Sequence, residues 1–184
     1  NAGGTEFFKN GGETFNLDDV VPSYGVTSRQ ILSSLNKANE QLKIKHPLHV
    51  HCNNLGVPGN IKTILETIKT AEGRRMHLAH VQFYGYDNKG KKGFSSGSLE
   101  LAEAVNKNKN ITVDVGQVMF KPTLTISSDV LRQFGARNNA NPKKWIINEI
   151  EDGGGGIIPY EYKAKNFVNA LQWLIGLEIF LLVK

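Results

Sequence analysis

Apolar residues recur along this chain first at helical spacing and then in strand-like runs, and their succession predicts repeated helix and strand steps. Thr27 or Ser28 can cap a helix running to about Leu42, with Ile31, Leu32, Leu35 and Ala38 on its apolar face. A strand is predicted over about 47–52, where Leu48, Val50 and Cys52 alternate with histidines. After the loop Asn53 to Gly59, Asn60 can cap a second helix carrying Ile61, Ile64, Leu65, Ile68 and Ala71, which Gly73 stops. A strand over 76–82, a long loop from Phe83 to Gly97 and a third helix from Ser98 to Lys107 follow, the helix with Leu99, Leu101, Ala102 and Val105 apolar. Ile111 to Met119 is Val-rich and suited to a strand buried on both faces.

The flanking stretches are less periodic. Thr5 to Lys9 reads as a short aromatic strand ended by Asn10-Gly11-Gly12, and Phe15 to Tyr24 as a loop. Thr123 to Asn141 resembles a helix and loop insertion, and Trp145 to Ile150 a strand. Gly153 to Gly156 reads as a turn, because it lacks the Lys-Ser/Thr that follows a phosphate-binding loop. Lys165 to Leu182 is predicted helical, with a broad apolar surface of Phe167, Ala170, Leu171, Leu174, Ile175 and Leu177. Successive steps of about 30 residues argue for an α/β fold with a parallel sheet. A doubly wound sheet and a (β/α)₈ barrel share this local pattern, and no glycine-rich nucleotide fingerprint favours the former.

Composition adds limits rather than direction. With 184 residues, 40% apolar and 21% charged, the chain suits one domain with a sizeable core, which excludes disordered and fibrous classes. The net charge of +5 is scattered and densest at Lys89, Lys91 and Lys92, without interleaved aromatics, so nucleic-acid binding is not expected. The single cysteine excludes an internal disulfide and suits a reducing compartment; Cys52 is either a nucleophile beside His51 or, as a lone strand cysteine usually is, a small buried filler. Leu171 to Val183 carries Gln172 and Glu178 and falls short of the roughly 20 apolar residues a membrane span needs. The expected location is the cytoplasm. Because the sequence opens at Asn1 rather than a methionine and stops after an apolar helical stretch, a fragment of a longer polypeptide is expected.

The candidate chemistry lies at strand ends. His46, His49 and His51 crowd one strand, with His49 and His51 on one face, and His77 and His80 fall on the next, His80 one strand-helix-strand step after His51. In parallel α/β folds functional groups gather at the carboxyl ends of strands, and two imidazoles from neighbouring strands can meet one zinc ion. The alternative is that these histidines are hydrogen-bonded core or rim residues. Lys9 ends an aromatic strand; desolvation there would leave more neutral amine, which can add carbon dioxide to form a carbamate able to bridge two metals, while an exposed strand-end lysine is the plain alternative.

Longer motifs make a resemblance specific. Asn1-Ala-Gly-Gly-Thr-Glu-Phe-Phe-Lys9, Leu17-Asp-Asp-Val-Val-Pro22, Val26-Thr-Ser-Arg-Gln-Ile31, His46-Pro-Leu-His-Val-His-Cys-Asn-Asn-Leu-Gly56 and Ala79-His-Val-Gln-Phe-Tyr84 are similar to stretches of the A-type subunits of formylmethanofuran dehydrogenases. So are Val113-Asp-Val-Gly-Gln-Val-Met-Phe120 and Asn166-Phe-Val-Asn-Ala-Leu-Gln-Trp-Leu-Ile-Gly-Leu-Glu178, in the same order. The resemblance implies membership of the amidohydrolase superfamily and part of a (β/α)₈ TIM-type barrel, residues 1–184 forming one partial barrel domain. It implies two zinc ions bridged by carboxylated Lys9 and bound by His51 from the fifth strand and His80 from the sixth, with His49 ranked below His51. The family's first-strand His-x-His pair and its late aspartate would precede Asn1 and follow Lys184.

The implied reaction is attack of a zinc-activated water on the formamide carbon of formylmethanofuran, or in reverse condensation of formate with methanofuran. Formate would come from partner subunits with a molybdenum or tungsten pterin and iron-sulfur clusters. Asn53, Asn54, Gln82 and Tyr84 would orient substrate, though turn-forming and packing roles suit them equally. Two other readings remain: the hydrolytic subunit of a methylotroph formyltransferase/hydrolase complex, and a metal-free barrel kept as an assembly scaffold.

Overall fold

A computed structural model describes residues 14–90, 93–116, 123–127, 155–159 and 167–184. Lys9, its predicted strand and the segment Trp145 to Ile150 lie outside the described residues.

The centre is a three-stranded parallel sheet of β3 (Leu48–Val50), β4 (Met76–Leu78) and β7 (Ile111–Val113), in that spatial order. Register aligns Leu48 with Met76 and Met76 with Ile111, then His49 with His77 and His77 with Thr112, then Val50 with Leu78 and Leu78 with Val113. Because side chains alternate across a sheet, the outer two rows, apolar throughout, face the core while the middle row of His49, His77 and Thr112 faces the other way. Met76 and Leu78 are fully buried; His49 and Thr112 are exposed. The expectation that the third strand would be buried on both faces is therefore corrected: its polar Thr112 lies on the open face.

Helices cover the apolar face. α1 (Ser28–Gln41) starts at a capping box, with Gln30 N donating to Thr27 Oγ1 at 3.2 Å and Thr27 N donating to Gln30 Oε1 at 2.9 Å, which satisfies two donors that the first turn leaves unpaired. Its buried stripe is Ser28, Leu32 and Asn36, whereas Leu35, expected on the apolar face, is 47% exposed. α2 (Ile61–Thr70) buries Ile61, Ile64 and Ile68. α3 (Ser98–Lys107) buries Leu101, Ala102 and Val105, while Leu99 turns to the surface. α4 (Phe167–Leu182) inserts Leu171, Ile175 and Ile179 into the same core, its exposed positions including Leu174. It packs close to Gly85, where an added Cβ would fall 2.7 Å from Ile175 Cγ2, so only glycine fits.

Asn60 differs from its expected role. It lies in the right-handed helical region and makes no side-chain cap bond. Its buried amide instead ties its own loop to the connection after β4: Nδ2 donates to the carbonyls of Asn54 at 2.9 Å and Phe83 at 2.8 Å, and Oδ1 accepts the Tyr86 N–H at 2.9 Å.

Two expected loops contain small hairpins. β1 (Val20–Val21) pairs antiparallel with β2 (Val26–Thr27), and β5 (Tyr86–Asp87) with β6 (Ser95–Ser96). Likewise β8 (Thr123–Ser127) pairs antiparallel with β9 (Gly155–Pro159), so residues 123–127 are strand rather than helix or loop, and Gly155 and Gly156 lie within a strand rather than a turn. Among the described residues no helix is long and apolar enough to cross a membrane.

Candidate functional site

β4 ends earlier than the alternation predicted, and this ending builds the site. The strand stops at Leu78; His80 follows with φ of 37° and ψ of 54°, a left-handed conformation that costs a non-glycine residue free energy, and Val81–Phe83 then form one turn of 3-10 helix. The turn directs the His80 ring sideways, toward the carboxyl end of β3. There His51, one residue past Val50, presents Nδ1 at 2.8 Å from His80 Nε2, with ring centroids 4.6 Å apart. The two histidines singled out from sequence therefore meet directly.

Behind them runs a line of imidazoles. His49 Nε2 lies 3.2 Å from His51 Nε2, and the His49 and His77 rings, paired across β3 and β4, have centroids 5.1 Å apart. A neutral His51 donates through one ring nitrogen and accepts through the other, so the tautomers along this line are interdependent. His46 stands apart at the start of β3, exposed, its carbonyl accepting from Asn39 Nδ2 at 3.1 Å.

Desolvation lowers the His51 pKa, and the neighbouring His80 and His49 imidazoles lower it further. Although His51 as a residue is exposed, its ring is crowded by these two. Burial also lowers His80, against the opposing pull of the Asp114 carboxylate. Both are held in the neutral form that carries a ligating lone pair. His80 Nδ1 is buried without a hydrogen-bond partner among the described residues, an atom the protein desolvates and leaves unsatisfied. The two neutral imidazole nitrogens that converge, His51 Nδ1 and His80 Nε2, are of the donor type that zinc takes, so the residues present fit a zinc ion on chemical grounds. No third His, Cys, Asp or Glu completes a ligand set among the described residues.

The other predicted site residues are engaged within the protein. Asn53, buried, donates from Nδ2 to Ser28 Oγ at 2.9 Å. Asn54, at φ of 62°, donates to Thr63 Oγ1 at 2.9 Å and accepts the Phe15 N–H at 2.6 Å. Gln82 makes a reciprocal pair with the Gly116 backbone, Nε2 donating to the carbonyl at 2.8 Å and Oε1 accepting the N–H at 2.9 Å. Tyr84, 1% exposed, stacks on His80 with centroids 5.6 Å apart. All four brace the loops behind the histidines. Cys52 is buried and its thiol is pushed up to about 12 by desolvation, so it packs as a small apolar residue and offers no thiolate at neutral pH.

Asp114 is the residue sequence reading missed. It sits just past β7, Oδ1 accepting the His80 N–H at 2.6 Å and Oδ2 lying 3.0 Å from His77 Nε2. Burial pushes its carboxyl up, but the bonds from His80 and His77 outweigh this and hold it below the usual carboxylate value. The signal was present: Thr112 and Asp114 are the polar positions of an alternating Ile111, Val113, Val115 run, on the face where His49 and His51 lie in β3.

Fold and site together define an α/β chain with helices on one face of a parallel sheet and paired histidines at its carboxyl end. The chain is 48% identical over 187 residues to the A component of the formyltransferase/hydrolase complex Fhc of Methylorubrum extorquens, here FhcA, covering 99% of this chain and 34% of that protein. It is 40% identical over 193 residues to the protein FwdA of Methanocaldococcus jannaschii, covering 98% of this chain and 34% of that one. Its structure matches the crystal structure of the formyltransferase/hydrolase complex FhcABCD from Methylorubrum extorquens in complex with methylofuran, at a TM-score of 0.73 and 45% identity over the whole of this chain and 34% of the matched one. No protein-family model matches. The chain is thus homologous to FhcA and FwdA, and spans about a third of the length of the relatives it matches.

Proposed function

We propose that this chain is a segment of a metal-dependent amidohydrolase subunit that cleaves or forms an N-formyl bond on a furan-type amine cofactor, within a multisubunit complex. The carrying observation is the 2.8 Å meeting of His51 and His80 at the carboxyl ends of β3 and β4, in a chain homologous to FhcA. In this reading β3, β4 and β7 are consecutive strands of a (β/α)₈ barrel, supported by helices on one sheet face and a polar, open other face. His51 and His80 are the residues that would hold zinc, and Lys9, as a carbamate, would supply the carboxylate shared by the two ions. Bound there, zinc supplies polarisation of the formyl oxygen and a lowered pKa for water.

The protein's own part is positioning. Neutral imidazoles present lone pairs, Tyr84 shields one face of His80, and Gln82 with Asn60 fixes the loops that carry them. In the hydrolytic direction formate and the free amine leave; in reverse, formate condenses with the amine, and partner subunits carrying molybdenum or tungsten pterin and iron-sulfur clusters supply it. The higher identity to FhcA, and the methylofuran in the matched complex, favour the hydrolytic assignment.

Metal analysis of the full-length subunit, paired with a formamide-hydrolysis assay, tests the proposal. About two zinc ions per chain and formate release are expected. Less than about one zinc per chain, with Lys9 unmodified, would reject it in favour of a metal-free scaffold.

A further inference from the structure

We propose that Asp114 is a positioning residue that fixes His80 for its encounter with His51, acting through the left-handed turn after β4. The inference rests on the metal-site reading above but concerns a residue outside the ligand set. His80 occupies a strained backbone conformation, and such conformations persist only where the surroundings over-determine them.

Asn60 and Gly56 hold the far end of this turn through the Phe83 carbonyl, and the segment after β7 holds its start. Asp114 Oδ1 accepts the His80 N–H at 2.6 Å, the Asp114 carbonyl accepts the Val81 N–H at 3.0 Å, and the Gly116 backbone exchanges two bonds with the Gln82 amide. Gly116 allows this approach, since an added Cβ would stand 2.6 Å from Gln82 Nε2 and 3.2 Å from His80 Cβ. The second carboxylate oxygen of Asp114 meets His77 Nε2, and His77 Nδ1 lies 2.9 Å from Thr112 Oγ1, so β4 and β7 are also joined by side chains at this height. One carboxylate therefore couples the backbone of a site histidine to a neighbouring strand, the role that outer partners of metal-binding histidines perform.

The test uses the full-length subunit. Zinc affinity is measured by chelator competition, and backbone exchange by hydrogen-deuterium exchange of peptides covering Leu78 to Gln82. Asp114→Ala is expected to weaken zinc binding about 10–100-fold and to speed exchange across the turn. Asp114→Asn keeps the side-chain shape and an oxygen for the His80 N–H, and is expected to hold zinc within about threefold of wild type, separating geometry from charge. An Asn variant as impaired as the alanine variant overturns the positioning role. Exchange unchanged in Asp114→Ala overturns it whatever the zinc content. Absence of zinc from the wild-type subunit would reject the functional reading instead, leaving exchange to decide the role of Asp114.

Discussion

His51 Nδ1 and His80 Nε2 face each other at 2.8 Å, although one residue follows a strand and the other sits in a left-handed turn after the neighbouring strand. With both rings neutral, these nitrogens share one proton, which an ion bound by both would displace. Replacing either by alanine in the full-length subunit is expected to remove at least about half of the bound zinc and nearly all formamide hydrolysis. His46→Ala, at an exposed ring, is expected to leave both unchanged. Elemental analysis of the three variants checks this; full zinc content in His51→Ala would remove that residue from the site.

A carboxylated Lys9 makes a distinct prediction. Lys9→Ala is expected to abolish hydrolysis, and added short carboxylates are expected to restore part of it by occupying the bridging place. Activity unchanged by the substitution, or a mass spectrum lacking carboxylation in the metal-loaded wild type, would exclude the bridge.

Cys52 gives a pH dependence with a definite sign. Its thiol is pushed from the ordinary 9.0 to about 12 in the folded protein. Below about pH 9 the thiol is protonated folded and unfolded, and contributes no pH dependence. Between about 9 and 12 the unfolded chain has released this proton while the folded one keeps it, so stability falls as pH rises through that window. Cys52→Ala should flatten the decline in a urea series across this range. At pH 8 the native thiol is expected to react with iodoacetamide far more slowly than the same thiol in urea; equal rates would refute the burial argument.

Asn60→Ala removes the acceptor of the Tyr86 N–H and the donor shared by the Asn54 and Phe83 carbonyls, all in a buried loop junction. A loss of about 2–3 kcal/mol in unfolding free energy is expected, measured by denaturant titration. A loss under about 0.5 kcal/mol would mean that water replaces the amide without cost.

The order of helices and parallel strands was legible because helical and strand periods differ, and a cap at Thr27 or Ser28 was legible because capping chemistry is local, the structure taking Thr27. The pairing of His51 with His80 was legible from their spacing by one repeat. What escaped depends on contacts between distant residues. Alternation predicted that the second His-bearing strand would continue to 82, but Asp114, just past β7, anchors His80 in a turn instead. Asn60 has the chemistry of a helix cap, yet three loop partners hold its amide elsewhere. Leu35 and Leu99 fit helical stripes that the core leaves uncovered. The strand at 123–127 exists by pairing with residues far along the chain, which no local period reports.

The alternation of β3, β4 and β7 makes frame as important as residue identity. An insertion of one residue ahead of Leu48 would turn the His49 imidazole toward Met76 and Leu78 and bring Leu48 to the open face, leaving His49 and His51 in the sequence and neither in place. Substitutions along these strands should therefore be tolerated far better than single-residue insertions or deletions. Length changes should accumulate in the connections at the opposite, amino end of the sheet.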